Sequence, residues 1–228
     1  MKGKHVALLI ILILAADQAL KFYIKTNYTL GEEHNVLGPW FRLHFVENEG
    51  MAWGLKFGGG FGKIVLTLFR LVAVILGTFY LRNIIRKKYH KGFIICAALI
   101  YAGAFGNLID SMFYGLIFSG SNPFAVATLF PHGGGYASFF HGQVVDMLYF
   151  PIIHTTYPSW FPIASWRGQE FEFFSPVFNI ADSSISIGVI ALLIWQKRFF
   201  PGKHTEHPVQ TVPTEINSPG IKDEITTV

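Results

Sequence analysis

The chain has 228 residues, of which 14% are charged, 51% hydrophobic and 16% aromatic, with a mean hydropathy of +0.41. A soluble domain carries about 25% charged residues, so a water-surrounded globule is excluded and most of the surface must face lipid. The formal charge is +4, and a single cysteine, Cys96, excludes an internal disulfide, a cysteine-based zinc site and an iron–sulfur cluster.

Four apolar stretches suit the roughly 20 residues that a helix needs to cross a bilayer. The first runs from Val6 to Ile24 and carries Asp17, Gln18 and Lys21. A cleaved signal peptide is the competing reading, but Asp17 and Lys21 stand four apart and can pair on one helix face, and the apolar pattern resumes beyond them. An outer loop over 25–63 follows, in which Trp40 to Val46 alternates apolar and polar residues as a strand does. The second span, Ile64 to Leu81, is interrupted by Arg70, which reads as snorkelling to the outer surface. Arg82, Arg86, Lys87, Lys88 and Lys91 fill the link to the third span, Phe93 to Ile109.

A second outer loop, over 114–176, is rich in Gly, Phe, Tyr and Trp and suits the membrane interface. Its histidines, His132, His141 and His154, read as interfacial rather than as metal ligands. The fourth span runs from Val177 to Trp195 and is followed by Lys197, Arg198 and Lys203. Positive charge accumulates on the cytoplasmic side, so both termini are expected inside and both long loops outside. Residues 1–200 form the membrane domain. Residues 201–228, with four prolines and few large apolar side chains, read as a disordered cytoplasmic tail.

Ionisable residues inside spans are costly and mark candidate functional sites. At ~1.5 Å per residue, Asp110 lies ~26 Å along the third helix and Asp182 ~8 Å into the fourth, while Asp17 and Lys21 lie ~16 and ~22 Å along the first. The topology brings all of them to one level near the outer face. Polar residues also line single faces: Gly103, Asn107 and Asp110 on the third helix, and Asn179, Asp182, Ser183 and Ser186 on the fourth. Those stripes are expected to face the bundle interior, where Gly103 and Gly106 admit a close neighbour. A further acid, Asp146, interrupts the apolar run Val144 to Phe150.

Two carboxylates in one desolvated site share a proton and so act as base and acid together, enough to hydrolyse a peptide bond without metal or covalent intermediate. Neither a GxSxG elbow nor a papain-like cysteine context occurs. Three acids at the outer level, Asp110, Asp146 and Asp182, are eligible for such a pair, and the residues alone do not choose among them. A proton-coupled transporter would also use buried acids, but the two halves show no internal repeat. A non-catalytic chaperone or assembly factor would use them structurally.

Five motifs then occur in order: Asp17 to Lys21, Asn48 to Gly54, Gly103 to Asp110, Gly142 to Asp146, and Phe178 to Asp182. Their sequence and four-span plan resemble the lipoprotein signal peptidase, or signal peptidase II, family from about Asp17 to Trp195. The resemblance implies an all-α membrane bundle of four transmembrane helices with a small extracytoplasmic β-sheet and an interfacial helix. It implies a monomeric aspartic endopeptidase of the bacterial inner membrane, without cofactor or metal, that meets membrane lipids and no nucleic acid. Its substrate would be a diacylglyceryl-modified prolipoprotein, cut just before the lipidated cysteine. The catalytic pair would be Asp146 and Asp182, with Asp17, Lys21, Asn48, Gly50, Gly106, Asn107, Asp110 and Asn179 supporting it or binding substrate.

Two departures stand out. Ser111 occupies the position where the family usually has arginine, so Lys21 or Arg70 is expected to supply the missing cation. The stretches from Ser111 to Val144 and from Asp146 to Asp182 are also longer than usual, and would form an added lid or partner surface outside the membrane.

Overall fold

The structure, a computed structural model, describes residues 1–49, 59–173 and 175–200. The proposed tail at 201–228 and the site candidate Gly50 lie outside the described residues. Among the described residues, four helices are long and apolar enough to cross a membrane. They are α1 (Gly3–Asn27), α2 (Gly59–Arg86), α3 (Lys91–Ile109) and α4 (Ile180–Phe199). α1 is continuous through Asp17 and Lys21 and packs on α3 and α4. Half of the third span is buried, against 17% of each of the others, so α3 is the central post of the bundle.

Two boundaries differ from those expected. The third helix does not stop at Ile109: it passes through one π-helical turn, Asp110–Tyr114, and a last α-helical turn, Gly115–Ile117. A π-turn of this kind is characteristic of functional sites, and here it carries Asp110 and Ser111, both buried. The fourth helix starts at Ile180 rather than Val177. Asn179 is its N-cap, in extended conformation, and its side chain accepts from the Asp182 N–H at 2.8 Å. An asparagine that satisfies an orphan first-turn donor starts a helix at the next residue, which puts Asp182 in the first turn.

Along α4, Ala181, Ser184 and Gly188 are buried, whereas Ser186 is exposed. The expected stripe through Ser183 and Ser186 is therefore corrected: small residues face α3, and the Ser184 hydroxyl donates to the Leu99 carbonyl at 2.8 Å. Gly103 lies against Ala181, where a methyl group would collide with the Ala181 carbonyl. Small residues allow such close backbone approach in lipid.

Beyond the helix ends, β1 (Glu33–Leu37), β2 (Phe41–Asn48) and β3 (Val144–Tyr149) form an antiparallel sheet in the order β1-β2-β3. β2 overlaps the strand read at Trp40 to Val46 from Phe41 onward, Trp40 itself ending a 3-10 turn. β1 was not anticipated, because its five residues are all exposed and carry no apolar alternation. β4 (Ile153–Thr156) and β5 (Glu170–Phe173) make a separate hairpin within the long stretch before α4. Among the described residues, the helical content of the loops outside the spans is two single 3-10 turns, Gly38–Trp40 and Ala164–Trp166.

Two cores result. Val6, Leu81, Ile84, Phe93, Ile94, Cys96, Ala98 and Phe199 close the end of the bundle that carries the basic clusters. Cys96 is thus a packing residue. At the opposite end Ile24, Tyr28, Phe45, Tyr114, Phe118, Val145 and Met147 join α1, the sheet and the end of the third span.

Candidate active site

The polar residues of four separate segments meet between these cores. Asp17 and Lys21 follow one another by a single helical turn on α1, both buried, and their side chains pair at 2.9 Å. Lys21 Nζ also contacts Asp110 Oδ2 at 2.7 Å and donates to Asn107 Oδ1 at 2.9 Å. One buried ammonium therefore serves α1 and the end of α3 together. Buried charge is tolerated only with such compensation.

Asp17 does more than pair with Lys21, because its Oδ1 accepts from the Ala181 N–H at 2.8 Å. Together with Asn179 it satisfies two of the orphan donors in the first turn of α4. Gly106 makes room for this, since a methyl group there would stand 2.9 Å from Asp17 Oδ2 and 3.2 Å from Ala181 Cβ. Gln18 donates to Asp110 Oδ1 at 2.8 Å and accepts from the Tyr114 hydroxyl at 3.1 Å.

The two asparagines hold two different aspartates. Asn107 turns its carbonyl oxygen to Lys21, which leaves its amide nitrogen to donate to Asp182 Oδ1 at 2.7 Å. Asn179 turns its oxygen to the Asp182 N–H, which leaves its nitrogen to donate to Asp146 Oδ1 at 2.7 Å and to Asn107 Oδ1 at 3.1 Å. Asp146 is placed by the sheet: Val46 pairs with Asp146 across β2 and β3, and Asn48 Nδ2 reaches Asp146 Oδ2 at 3.3 Å. A continuous chain of hydrogen bonds thus runs from Lys21 to both carboxylates. Such fully satisfied buried networks fix their members in one geometry.

Asp146 is 3% exposed, and Asp182 is half-buried in the first turn of α4, where a negative charge is favoured by the helix terminus. Burial first, and then the neighbouring Asp182 carboxylate, push the Asp146 carboxyl up to about 7. The hydrogen bonds from Asn48 and Asn179 and the charge of Lys21 act in the opposite direction without cancelling that rise. Burial is the larger cause and the Asp182 charge the smaller, so the Asp146 carboxyl keeps its proton to higher pH than a solvated aspartate does.

Asp17, Lys21, Asp110 and Asp182, expected at one level, meet in one network, and Asn107, Asp146, Asn179 and Asn48 join them. Arg70 is a correction. It does not snorkel: Nη1 donates to Ser111 Oγ at 2.9 Å, and its charge acts on Asp182, Asp110 and Asp146.

Sequence reasoning also missed Lys25, which is fully buried and paired with Glu47 of β2. It donates to Ser121 at 2.9 Å and lies over the Tyr136 and Phe118 rings at 5.0 and 5.3 Å. Its signal was present: Asp17, Lys21 and Lys25 recur at four-residue intervals on one face of α1. The contact anchors the inserted stretch after the third span to α1 and to the sheet.

Four spanning helices, a small sheet over one end and a buried carboxylate network define a multi-pass membrane protein built around an interior polar site. Two solved bacterial membrane enzymes share the fold. One superposes with a TM-score of 0.57 at 23% identity over 91% of this chain and 96% of its own; the other has a TM-score of 0.52 at 24% identity. The profile of the Signal peptidase (SPase) II family matches residues 9–198. The lipoprotein signal peptidase of Porphyromonas gingivalis is 52% identical over 86% of this chain and 84% of its own length. That of Amoebophilus asiaticus is 36% identical over 85% and 76%. The chain belongs to the signal peptidase II family, and so to the membrane peptidases that process lipoproteins in bacteria.

Proposed function

We propose that the protein is an aspartic peptidase that removes the signal peptide from diacylglyceryl-modified prolipoproteins, cutting just before the lipidated cysteine, with Asp146 and Asp182 as its catalytic pair. The observation that carries this reading is the chain Asp146–Asn179–Asn107–Asp182, which holds two acids of separate segments to one buried network. The Asp146 carboxyl, pushed up to about 7, retains a proton where a free aspartate would have lost it.

In this mechanism the pair holds one proton between its members near neutral pH. The ionised carboxylate takes a proton from water as the water attacks the scissile carbonyl. The protonated one donates to the carbonyl oxygen, and the tetrahedral intermediate collapses as a proton passes to the departing amine. Asp17, Lys21, Asn48, Gly106, Asn107, Asp110 and Asn179 position the pair; Gly50 has the same expected role. No metal is required, so a chelator leaves cleavage unchanged.

The site lies at the end of the bundle away from the basic clusters. Since those clusters favour the cytoplasm, the carboxylates face the outer leaflet and both termini lie inside. The substrate enters sideways, its acyl chains against exposed apolar helix faces such as that of Phe69, Leu76 and Phe79. Each buried methylene contributes ~0.8 kcal/mol. The protein acts as a monomer.

The test mixes purified protein with a lipidated and an unlipidated prolipoprotein peptide. Cleavage of the lipidated peptide alone, lost in both Asp146→Asn and Asp182→Asn, is expected. Normal processing by those two variants rejects the pair.

A further inference from the structure

Arg70 belongs to the face of α2 that turns inward. Thr67, one turn earlier, is buried and its hydroxyl reaches the Phe140 carbonyl at 3.1 Å; Val74, one turn later, is buried too. Between them the Arg70 guanidinium donates to Ser111 Oγ at 2.9 Å. The Ser111 hydroxyl in turn donates to the Asn107 carbonyl at 2.9 Å, on the residue whose side chain holds Asp182. A guanidinium drawn part-way into a helix bundle gives up hydration, and the neutral Ser111 hydroxyl offsets only part of that loss.

The charges around it supply the reason. Asp182 of α4, Asp110 at the end of the third span and Asp146 of β3 all act on Arg70, Asp182 most strongly. Lys63, on the same helix, opposes it. Lys21 is engaged in ion pairs with Asp17 and Asp110. Lys21 also acts on Asp146, so Arg70 is a second cation, brought from α2 and felt most by Asp182.

We propose that Arg70 is a positioning residue of the carboxylate pair: held through Ser111, it supplies the positive charge that lets one aspartate stay ionised while the other keeps its proton. This rests on the catalytic pair argued above. The role is electrostatic, so charge at position 70 matters more than the hydrogen bond to Ser111. It also gives α2 a part in the chemistry, whereas the other three spans meet the network directly.

The experiment compares pH profiles of cleavage of the lipidated peptide by the wild type, Arg70→Gln and Arg70→Lys. Glutamine keeps a donor for Ser111 without charge; lysine keeps the charge. Removing a nearby cation makes carboxylates hold protons to higher pH, so the Arg70→Gln profile is expected to move up by about one unit. Its kcat at neutral pH should fall about tenfold with KM nearly unchanged. Arg70→Lys should keep the wild-type profile. An Arg70→Gln profile superimposed on the wild type overturns the proposal. If the glutamine variant does not fold, an upward-shifted Arg70→Lys profile overturns it and an unshifted one supports it. Asp146→Asn and Asp182→Asn in the same assay separate the two ideas: their full activity sinks the pair itself, whereas dead aspartate variants beside an unshifted Arg70→Gln sink only the role of Arg70.

Discussion

At the basic end of the bundle Val6, Leu81, Ile84, Ile94 and Phe199 close on one another with apolar side chains, whereas the opposite end buries Asp17, Lys21, Asn107, Asp110, Asp146 and Asn179 between helices and β3. In lipid, apolar packing between helices gains little from the hydrophobic effect, because the tails are as apolar as the side chains. The basic end is therefore held by shape and tolerates replacement. The carboxylate end is held by paired hydrogen bonds and charges, and removal of one partner strands the others. Apolar packing and the buried polar network are divided between the two ends of the bundle.

The sharpest way to break this contrast is at the proposed catalytic pair. Asp146→Asn or Asp182→Asn should lower cleavage by at least ~10³-fold, since a pair that acts as a unit loses most of its effect with either member. Both variants should still melt cooperatively in detergent, and equal losses of fold and activity would contradict the separation. Next comes Lys21→Met, which leaves Asp17 and Asp110 buried without their shared cation. Loss of one partner from a buried ion pair costs about 3–5 kcal/mol, so this variant should melt far below the wild type.

Ile84→Ala, at the basic end, should cost on the order of 2 kcal/mol. Cleavage per folded molecule should remain at the wild-type level, measured by active-site titration beside thermal melting.

The pH dependence sharpens the contrast further. Because the folded chain holds the Asp146 proton up to about 7, while an unfolded aspartate releases it near ~4, the protonated form is the one the fold favours. Stability contributed by that proton is present at low pH and lost as pH rises through 7. Cleavage should fall about tenfold per unit above that point, as the pair becomes doubly ionised. A rate still level at pH 9 would contradict the shared proton. Conditions that leave the site untouched, such as chelation, should change nothing.

The spans, the basic clusters and the level of the intramembrane acids were legible because membrane physics acts on residues one segment at a time. A run of apolar residues crosses wherever it folds, and Asp17, Asp110 and Asp182 could be assigned depths by counting along each helix. What counting missed was set by partners distant in sequence. Arg70 read both as snorkelling and as one of two candidates for the missing cation, because nothing in its own segment says that Ser111 and three carboxylates lie on the inner side. The third span runs past Ile109 into the π-turn at Asp110–Tyr114, whose Tyr114 packs against α1 and the sheet. The exposed β1 strand had no pattern of its own to reveal it.

By itself the amino-acid order determined the four spans, their up-and-down course and the set of acids near one end, since these follow from hydropathy, charge and helical rise. Only the tertiary structure decided which nitrogen holds which carboxylate. Asn179 gives its oxygen to the Asp182 N–H and its nitrogen to Asp146, and Asn107 divides itself between Lys21 and Asp182. Those choices depend on four segments arriving together, because a buried amide has one oxygen and one nitrogen to place and its neighbours determine which way it turns.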